Sequence, residues 1–312
     1  MISLDDIRSA ASRIAPHIRR TPTIAVEAVS EPATDGRLML KLESLQATGS
    51  FKARGATNKL LGLPREAIAK GIVTASGGNH GLAVARAARL AGVPATVFVT
   101  ESATPEKREK LRRWGADVTV LGQIWNETNE AALAFAERSG AAYFHPFADP
   151  AVVAGQGTLG LELLADVPDM DVALVAIGGG GLISGMAVAL KALKPGIRII
   201  GIEPVGSPTL RACLDAGRLV SLDSVTSRVA TMSCGQTDPW IFETVRDHVD
   251  DIVLVSDDAM LQAARWLWFE LGIAADLSGA AAIAALQTGA VRFARGQTIG
   301  ALVCGAGPDG LG

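Results

Sequence analysis

Three cysteines, Cys213, Cys234 and Cys304, are odd in number and widely spaced, so the chain carries neither a disulfide framework nor a cysteine metal signature. The four histidines (His17, His80, His145, His248) are scattered, and no His/Asp/Glu cluster has metal-ligand spacing, so no metal is expected. A net charge of -3 over 312 residues leaves no electrostatic footprint for nucleic acid. No basic run or basic amphipathic helix suggests a membrane surface. No uncharged apolar run approaches the roughly 18 residues of a spanning helix. Asp5, Asp6 and Arg8 stand where a signal peptide needs apolar residues, so a cytoplasmic protein is expected. G-x-S-x-G and other nucleophile motifs are absent.

What is present reads as α/β. Hydrophobic residues make up 49% of the chain, enough for one two-lobed unit or two domains. Apolar residues at helical spacing predict a helix over Leu4 to Ile18, and Leu38 to Leu42 reads as a strand. Lys52 to Leu61 is a predicted helix stopped by Gly62 and Pro64. From Gly71 strands alternate with helices: strands over 72–75, 95–99, 118–121 and 142–144, helices over 82–90, 105–114 and 126–138. A second series has helices over 156–164 and 182–193 and strands over 172–177 and 197–202. Helices over 258–271 and 280–286 and a strand over 298–303 end the chain. This pattern predicts two mostly parallel sheets flanked by helices, divided near His145-Pro146.

Three loops and one strand end carry candidate chemistry. In Thr48-Gly49-Ser50-Phe51-Lys52-Ala53-Arg54-Gly55, Phe51 and Ala53 can shield the Lys52 amine. Desolvation, or a nearby cation such as Arg54, disfavours the ammonium and frees the amine to condense with a carbonyl. The bland alternative is a helix start capped by Ser50 with an ordinary solvated lysine. Ser76-Gly77-Gly78-Asn79-His80-Gly81 follows a strand and opens a helix, where free amides suit a carboxylate; the alternative is a turn with an Asn cap. Gly178-Gly179-Gly180-Gly181, between an apolar strand and the Leu182 helix, suits a phosphate held by amides alone, with tight backbone packing as the alternative. Cys304 ends the last strand, again at a carboxyl end, and on its own reads as core filler. Gly305, Gly307 and Gly310 match G-x-G-x-x-G, but no helix can follow them within this sequence. A shielded lysine, an asparagine in a glycine turn and a lysine-free phosphate cradle together suggest pyridoxal phosphate.

On these stretches, with Lys41-Leu42-Glu43, Ala154-Gly155-Gln156-Gly157-Thr158 and Gly201-Ile202-Glu203-Pro204, the chain resembles the fold-type II (tryptophan synthase β-like) pyridoxal-phosphate enzymes, in the branch of serine/threonine dehydratases and serine racemase. The motifs run in family order from about Thr21 to Gly307. The resemblance implies a smaller lobe, about residues 50–145, inserted into a larger lobe of 1–49 plus 146–312. It implies that Lys52 is the Schiff-base lysine and the base for the α-proton, with Phe51 beside the ring. Asn79 would bond the ring oxygen, Gly178 to Gly181 with Leu182 the phosphate, and Cys304 the pyridine nitrogen. Ser76, Gly77, Gly78 and His80 would receive the carboxylate of a small amino-acid substrate. A homodimer is usual for the family.

The departures shape the expected activity. Racemases of this branch carry a serine where this chain has Gly77, so β-elimination of threonine or serine to a 2-oxo acid and ammonia is favoured. The divalent-metal site of serine racemase-like members pairs the glutamate matching Glu203 with a later carboxylate, and here that position is Thr209. The family's Glu-Pro-Ala-Gly-Ala reads Asp276-Leu277-Ser278-Gly279-Ala280 here. Ala230 to Trp240 is closer to diaminopropionate ammonia-lyase-like members, which leaves another amino acid, racemisation, or a non-catalytic α/β binding protein as the alternatives.

Overall fold

The structure, a computed structural model, describes residues 2–311. The first third runs α1 (Leu4–Ile14), β1 (Thr23–Ala25), β2 (Arg37–Leu42), α2 (Lys52–Gly62), α3 (Arg65–Ile68), β3 (Ile72–Ala75), α4 (Asn79–Ala91) and β4 (Ala95–Val99). There follow α5 (Pro105–Arg113), β5 (Ala116–Val120), α6 (Trp125–Ser139), β6 (Ala142–Tyr143), α7 (Pro150–Asp166), β7 (Val172–Ala176) and α8 (Gly181–Leu193). The remainder is β8 (Arg198–Pro204), α9 (Thr209–Ala216), α10 (Pro239–His248), β9 (Asp251–Val255), α11 (Asp257–Leu271), α12 (Leu277–Gln287) and β10 (Thr298–Val303).

The strands form two sheets, ordered β1-β2-β10-β7-β8-β9 and β5-β4-β3-β6. Among the strands of the described residues, only β1 and β2 pair antiparallel; the other strand pairings are parallel. Central strands β7 (VALVA) and β10 (TIGALV) are buried at every position, as parallel strands covered on both faces must be. Parallel order also fixes where a site can lie, because the loops leaving the carboxyl ends of β3, β7 and β10 open on one crevice side of their sheets.

Several boundaries differ from the sequence expectation for physical reasons. Helix α1 ends at Ile14 and tightens into a 3₁₀ turn over Ala15–His17, because Pro16 has no amide to continue the ladder. Helix α7 starts at Pro150, not Gln156, since Asp149 accepts hydrogen bonds from the Ala151 and Val152 amides and caps it early. Elements β1, α3, α9, α10 and β9 were not foreseen. Strand β9 is an edge strand with broken burial, and β1 has three residues, so neither carries a clean apolar run. Among the described residues, no helix is long and apolar enough to cross a membrane.

Helix α2, which begins at Lys52, is gripped closely. A Cβ added at Gly155 would lie 2.7 Å from Gly55 Cα and 2.8 Å from the Arg54 carbonyl oxygen. Helices α2 and α7 therefore meet backbone to backbone, which only glycine permits.

Candidate active site

The turn after β2 delivers Lys52. Its backbone reaches positive φ at Thr48 (65°) and Gly49 (81°). The chain then pairs with the segment after β10: Ser50 bridges Gly305, the Phe51 amide donates to the Cys304 carbonyl (3.1 Å), and the Ala306 amide donates to the Gly49 carbonyl (2.8 Å). This pairing is what puts Cys304 beside the first turn of α2. Lys52 Nζ donates to the Pro146 carbonyl oxygen at 2.6 Å and stands 5.1 Å from the centre of the Phe51 ring. Burial pulls the ammonium down to about 8, and the thiols of Cys304 and Cys234 act in the opposite sense. Arg54 takes no part, because its guanidinium turns away to Glu43 and Glu162. Nor does Ser50 cap the helix: Phe51 holds the cap position, and Ser50 Oγ is buried without a partner.

The second loop joins β3 to α4. The Gly78 amide donates to Ser76 Oγ at 3.4 Å, while the amides of Gly77, Asn79, His80 and Gly81 donate to no protein acceptor among the described residues. They are the orphan donors of a helix start. Gly81 has no alternative, since a Cβ there would lie 2.0 Å from the Ser76 carbonyl oxygen. The His80 ring is turned away from the loop: Nε2 bonds the Phe144 carbonyl at 3.1 Å. Burial first, then the Lys52 charge, keeps this imidazole neutral well below its ordinary range. His80 thus offers the loop its amide, not its side chain, which narrows the expected contact.

The four-glycine loop joins β7 to α8. The amides of Gly178, Gly179, Gly180, Gly181 and Leu182 donate to no protein acceptor among the described residues. Gly180 sits at φ +91°, and Thr237 Oγ1 fastens the loop by donating to the Gly179 carbonyl at 2.9 Å. Phe147, next to the Pro146 carbonyl that holds Lys52, lies against Gly179 and Gly181, where added Cβ atoms would come within 2.3 Å and 2.5 Å of it. Lys52 and the glycine loop are therefore one residue apart through the 146–147 strap. Ser184, one turn on, has a buried hydroxyl without a partner.

Sequence reasoning assigned no role to Asp276, which caps α12. Its Oδ2 accepts from Asn79 Nδ2 (3.0 Å), and its Oδ1 accepts from Ser278 Oγ (2.6 Å) and the Gly279 amide (2.7 Å). Cys304 Sγ donates to Ser278 Oγ at 3.6 Å, so one carboxylate ties Asn79 to Cys304. Burial raises the Asp276 pKa, against the pull of Ser278, Gly279 and Asn79. Burial, then Asp276, pushes the Cys304 thiol up so that it stays protonated. Nothing in the local stretch Asp276-Leu277-Ser278-Gly279-Ala280 points to Asn79. Glu203 accepts the amides of Leu210 (2.8 Å) and Arg211 (2.9 Å) and is spent on capping α9.

A part-neutral lysine, two unsatisfied amide arrays at carboxyl ends of parallel strands, and a neutral thiol define a class: an enzyme built around a phosphorylated aldehyde cofactor. The orphaned amides are the features that such a group satisfies, and the residues present fit pyridoxal phosphate.

Comparison with known proteins gives the family. The model of the pyridoxal-phosphate dependent enzymes matches residues 14–305, and the chain belongs to that family. It is 40% identical over 286 residues to an L-threonine ammonia-lyase of Thermotoga maritima, covering 92% of this chain and 71% of that one. It is 38% identical over 313 residues to the catabolic L-threonine dehydratase TdcB of Staphylococcus aureus, covering 99% and 90%. Among solved structures, a maize serine racemase superposes with a TM-score of 0.92 at 34% identity, covering 97% of this chain and 93% of that one. A T.th. threonine deaminase gives 0.91 at 38% identity, covering 98% of each chain. A diaminopropionate ammonia lyase from Escherichia coli, at 18% identity, shares the fold.

Proposed function

We propose that this chain is a pyridoxal-phosphate-dependent ammonia-lyase that eliminates water from threonine or serine, giving a 2-oxo acid and ammonia. The observation that carries the reading is Lys52: a half-buried amine drawn down to about 8 by desolvation, between two loops of unsatisfied amides. Lys52 would bind the cofactor aldehyde, the amides of Gly178 to Gly181 and Leu182 its phosphate, Asn79 its phenolic oxygen, and Cys304 its pyridine nitrogen. Phe51 would pack beside the ring. When bound, the cofactor delocalises the electron pair left when the α-proton is removed.

The chain's own residues do the rest. Ser76 Oγ and the amides of Gly77, Gly78 and His80 receive the substrate carboxylate and orient Cα. Lys52, with its amine free, would take the α-proton. The β-hydroxyl would then leave as water by taking the proton that Lys52 removed from Cα, and the enamine product would take up one water and release ammonia, giving the 2-oxo acid. Racemisation needs a second proton donor on the opposite face, and Gly77 supplies none. The same proposal divides the chain into a lobe of about residues 50–145 within a lobe of 1–49 plus 146–312. It places the protein in the cytoplasm as a homodimer acting on a free amino acid, without nucleic acid or membrane; a sedimenting species of monomer mass would overturn the pairing.

The test is an amino-acid panel. Loaded enzyme is expected to release a 2-oxo acid and ammonia from threonine and serine, and neither from Lys52→Ala protein. Accumulation of the opposite enantiomer without oxo acid, or release from 2,3-diaminopropionate alone, would overturn the assignment.

A further inference from the structure

The stretch before α10 approaches both loops of the site at a single residue. A Cβ added at Gly78 would lie 3.9 Å from Thr231 Cγ2, and one added at Gly178 would lie 2.9 Å from the Thr231 carbonyl oxygen. Thr231 therefore stands in the gap between the two loops. It is exposed, and its hydroxyl makes no hydrogen bond among the described residues. The chain around it is well fastened. Met232 beside it is buried, and its amide donates to the Val229 carbonyl at 2.8 Å. The Cys234 amide donates to Ser207 Oγ at 3.0 Å, and Ser233 Oγ donates to the Val229 carbonyl at 3.0 Å. A free side chain on a rigid mount, facing a cleft, is placed to touch what enters the cleft.

We propose that Thr231 is the specificity-determining residue for the substrate's β-substituent, selecting a short, uncharged side chain. This rests on the reading above, that the carboxylate lies on the Ser76 to His80 loop with Cα near Lys52. With those two points held, the side chain is directed to the remaining opening, and Thr231 is the side chain that Gly78 faces there. A neutral hydroxyl and methyl can meet the hydroxyl of serine or the added methyl of threonine. They offer no cation to a second carboxylate and no anion to a β-ammonium, and desolvating either charge unpaired is costly. One methylene at such a wall is worth about 10- to 200-fold in selectivity.

The experiment compares cofactor-loaded parent with Thr231→Ser, Thr231→Val, Thr231→Leu and Thr231→Asp. Two quantities are read: the threonine-to-serine ratio of kcat/KM, and spectroscopically followed binding of the non-eliminating glycine, alanine, 2-aminobutyrate and norvaline. Thr231→Leu is expected to lower the threonine-to-serine ratio by about tenfold or more and to weaken 2-aminobutyrate and norvaline relative to glycine. Thr231→Asp is expected to strengthen 2,3-diaminopropionate relative to alanine. The near-isosteric Val and Ser variants carry the test if the others fail to fold. A ratio and a binding order within about twofold of the parent in all folded variants overturn the proposal, even if threonine and serine are turned over. A parent that eliminates neither, yet whose binding order follows residue 231, removes the elimination reading and leaves the selectivity standing.

Discussion

At the scale of the residue, Lys52 makes a quantitative commitment. Its amine titrates at 10.5 in an ordinary setting and at about 8 here, chiefly through burial. Between those values the unfolded chain holds a proton that the folded chain has released. Apoprotein stability from this group therefore rises with pH through that window, and the full cost of the buried ammonium is carried below it. The same shift governs function, because only the neutral amine condenses with an aldehyde. Covalent capture of pyridoxal phosphate by the apoprotein should accelerate with pH and level off around a midpoint near 8, with no capture by Lys52→Ala. Stopped-flow absorbance over a pH series measures it, and a midpoint near 10.5 would mean that the amine is solvated.

At the scale of the element, the grip between α2 and α7 decides where Lys52 points. Gly155→Ala puts a methyl within 3 Å of Gly55 Cα and the Arg54 carbonyl, both backbone atoms, so α2 itself has to shift. Overpacking of this kind costs about 1–3 kcal/mol, and chemical denaturation is expected to show a loss of that size together with weaker cofactor retention. An unchanged midpoint would mean that the two helices tolerate separation. This contact also marks what could be read without coordinates. The alternation over 71–144 and the strand, glycine loop and helix over 172–193 were legible because each is contiguous, with apolar runs punctuated by glycine. The loops around Lys52, Asn79 and Gly178 to Gly181 were legible for the same reason. Asp276 was not, because its grip on Asn79 spans 197 residues. The Pro146 carbonyl was not, because a backbone oxygen leaves no mark on residue identity. In the region from α9 to β9, the eight-residue α9 and the edge strand β9 were missed because they are short or lie at an edge, where burial breaks the period on which such reading depends.

At the scale of the molecule, α2 stands between the two sheets, packing on α7 on one side and on α4 on the other, and a buried charge network fixes it to the larger one. Arg54 donates to both oxygens of Glu43 (2.8 Å each), to both of Glu162 (2.8 and 2.9 Å) and to Thr158 Oγ1 (3.1 Å), with no side-chain exposure. Lys41, equally enclosed, reaches Glu162 and Asp166 at 3.0 Å each. Strand β2, α2 and α7 are thereby joined by fully hydrogen-bonded ions. Such a network adds little net stability over an apolar core, yet losing one partner strands the others. Arg54→Met leaves Glu43 without a cation and Glu162 with Lys41 alone, and is expected to cost about 3–5 kcal/mol in urea unfolding. Adding Glu43→Gln should return part of that loss, since the two residues share one network. Burial acts to raise the Glu162 and Asp166 pKa values, but hydrogen bonds from Arg54 and Lys41 at Glu162, and from Thr23 and Lys41 at Asp166, outweigh it and hold both below 4.5 and 3.8. Their contribution is therefore present at neutral pH and is lost as pH falls through that range and below. Parent protein should lose stability steeply on acidification while Arg54→Met, in which Glu162 keeps only the weaker share of its pairing from Lys41, loses less. Parallel slopes for the two proteins would show that the network is not what anchors the lysine-bearing helix to the larger sheet.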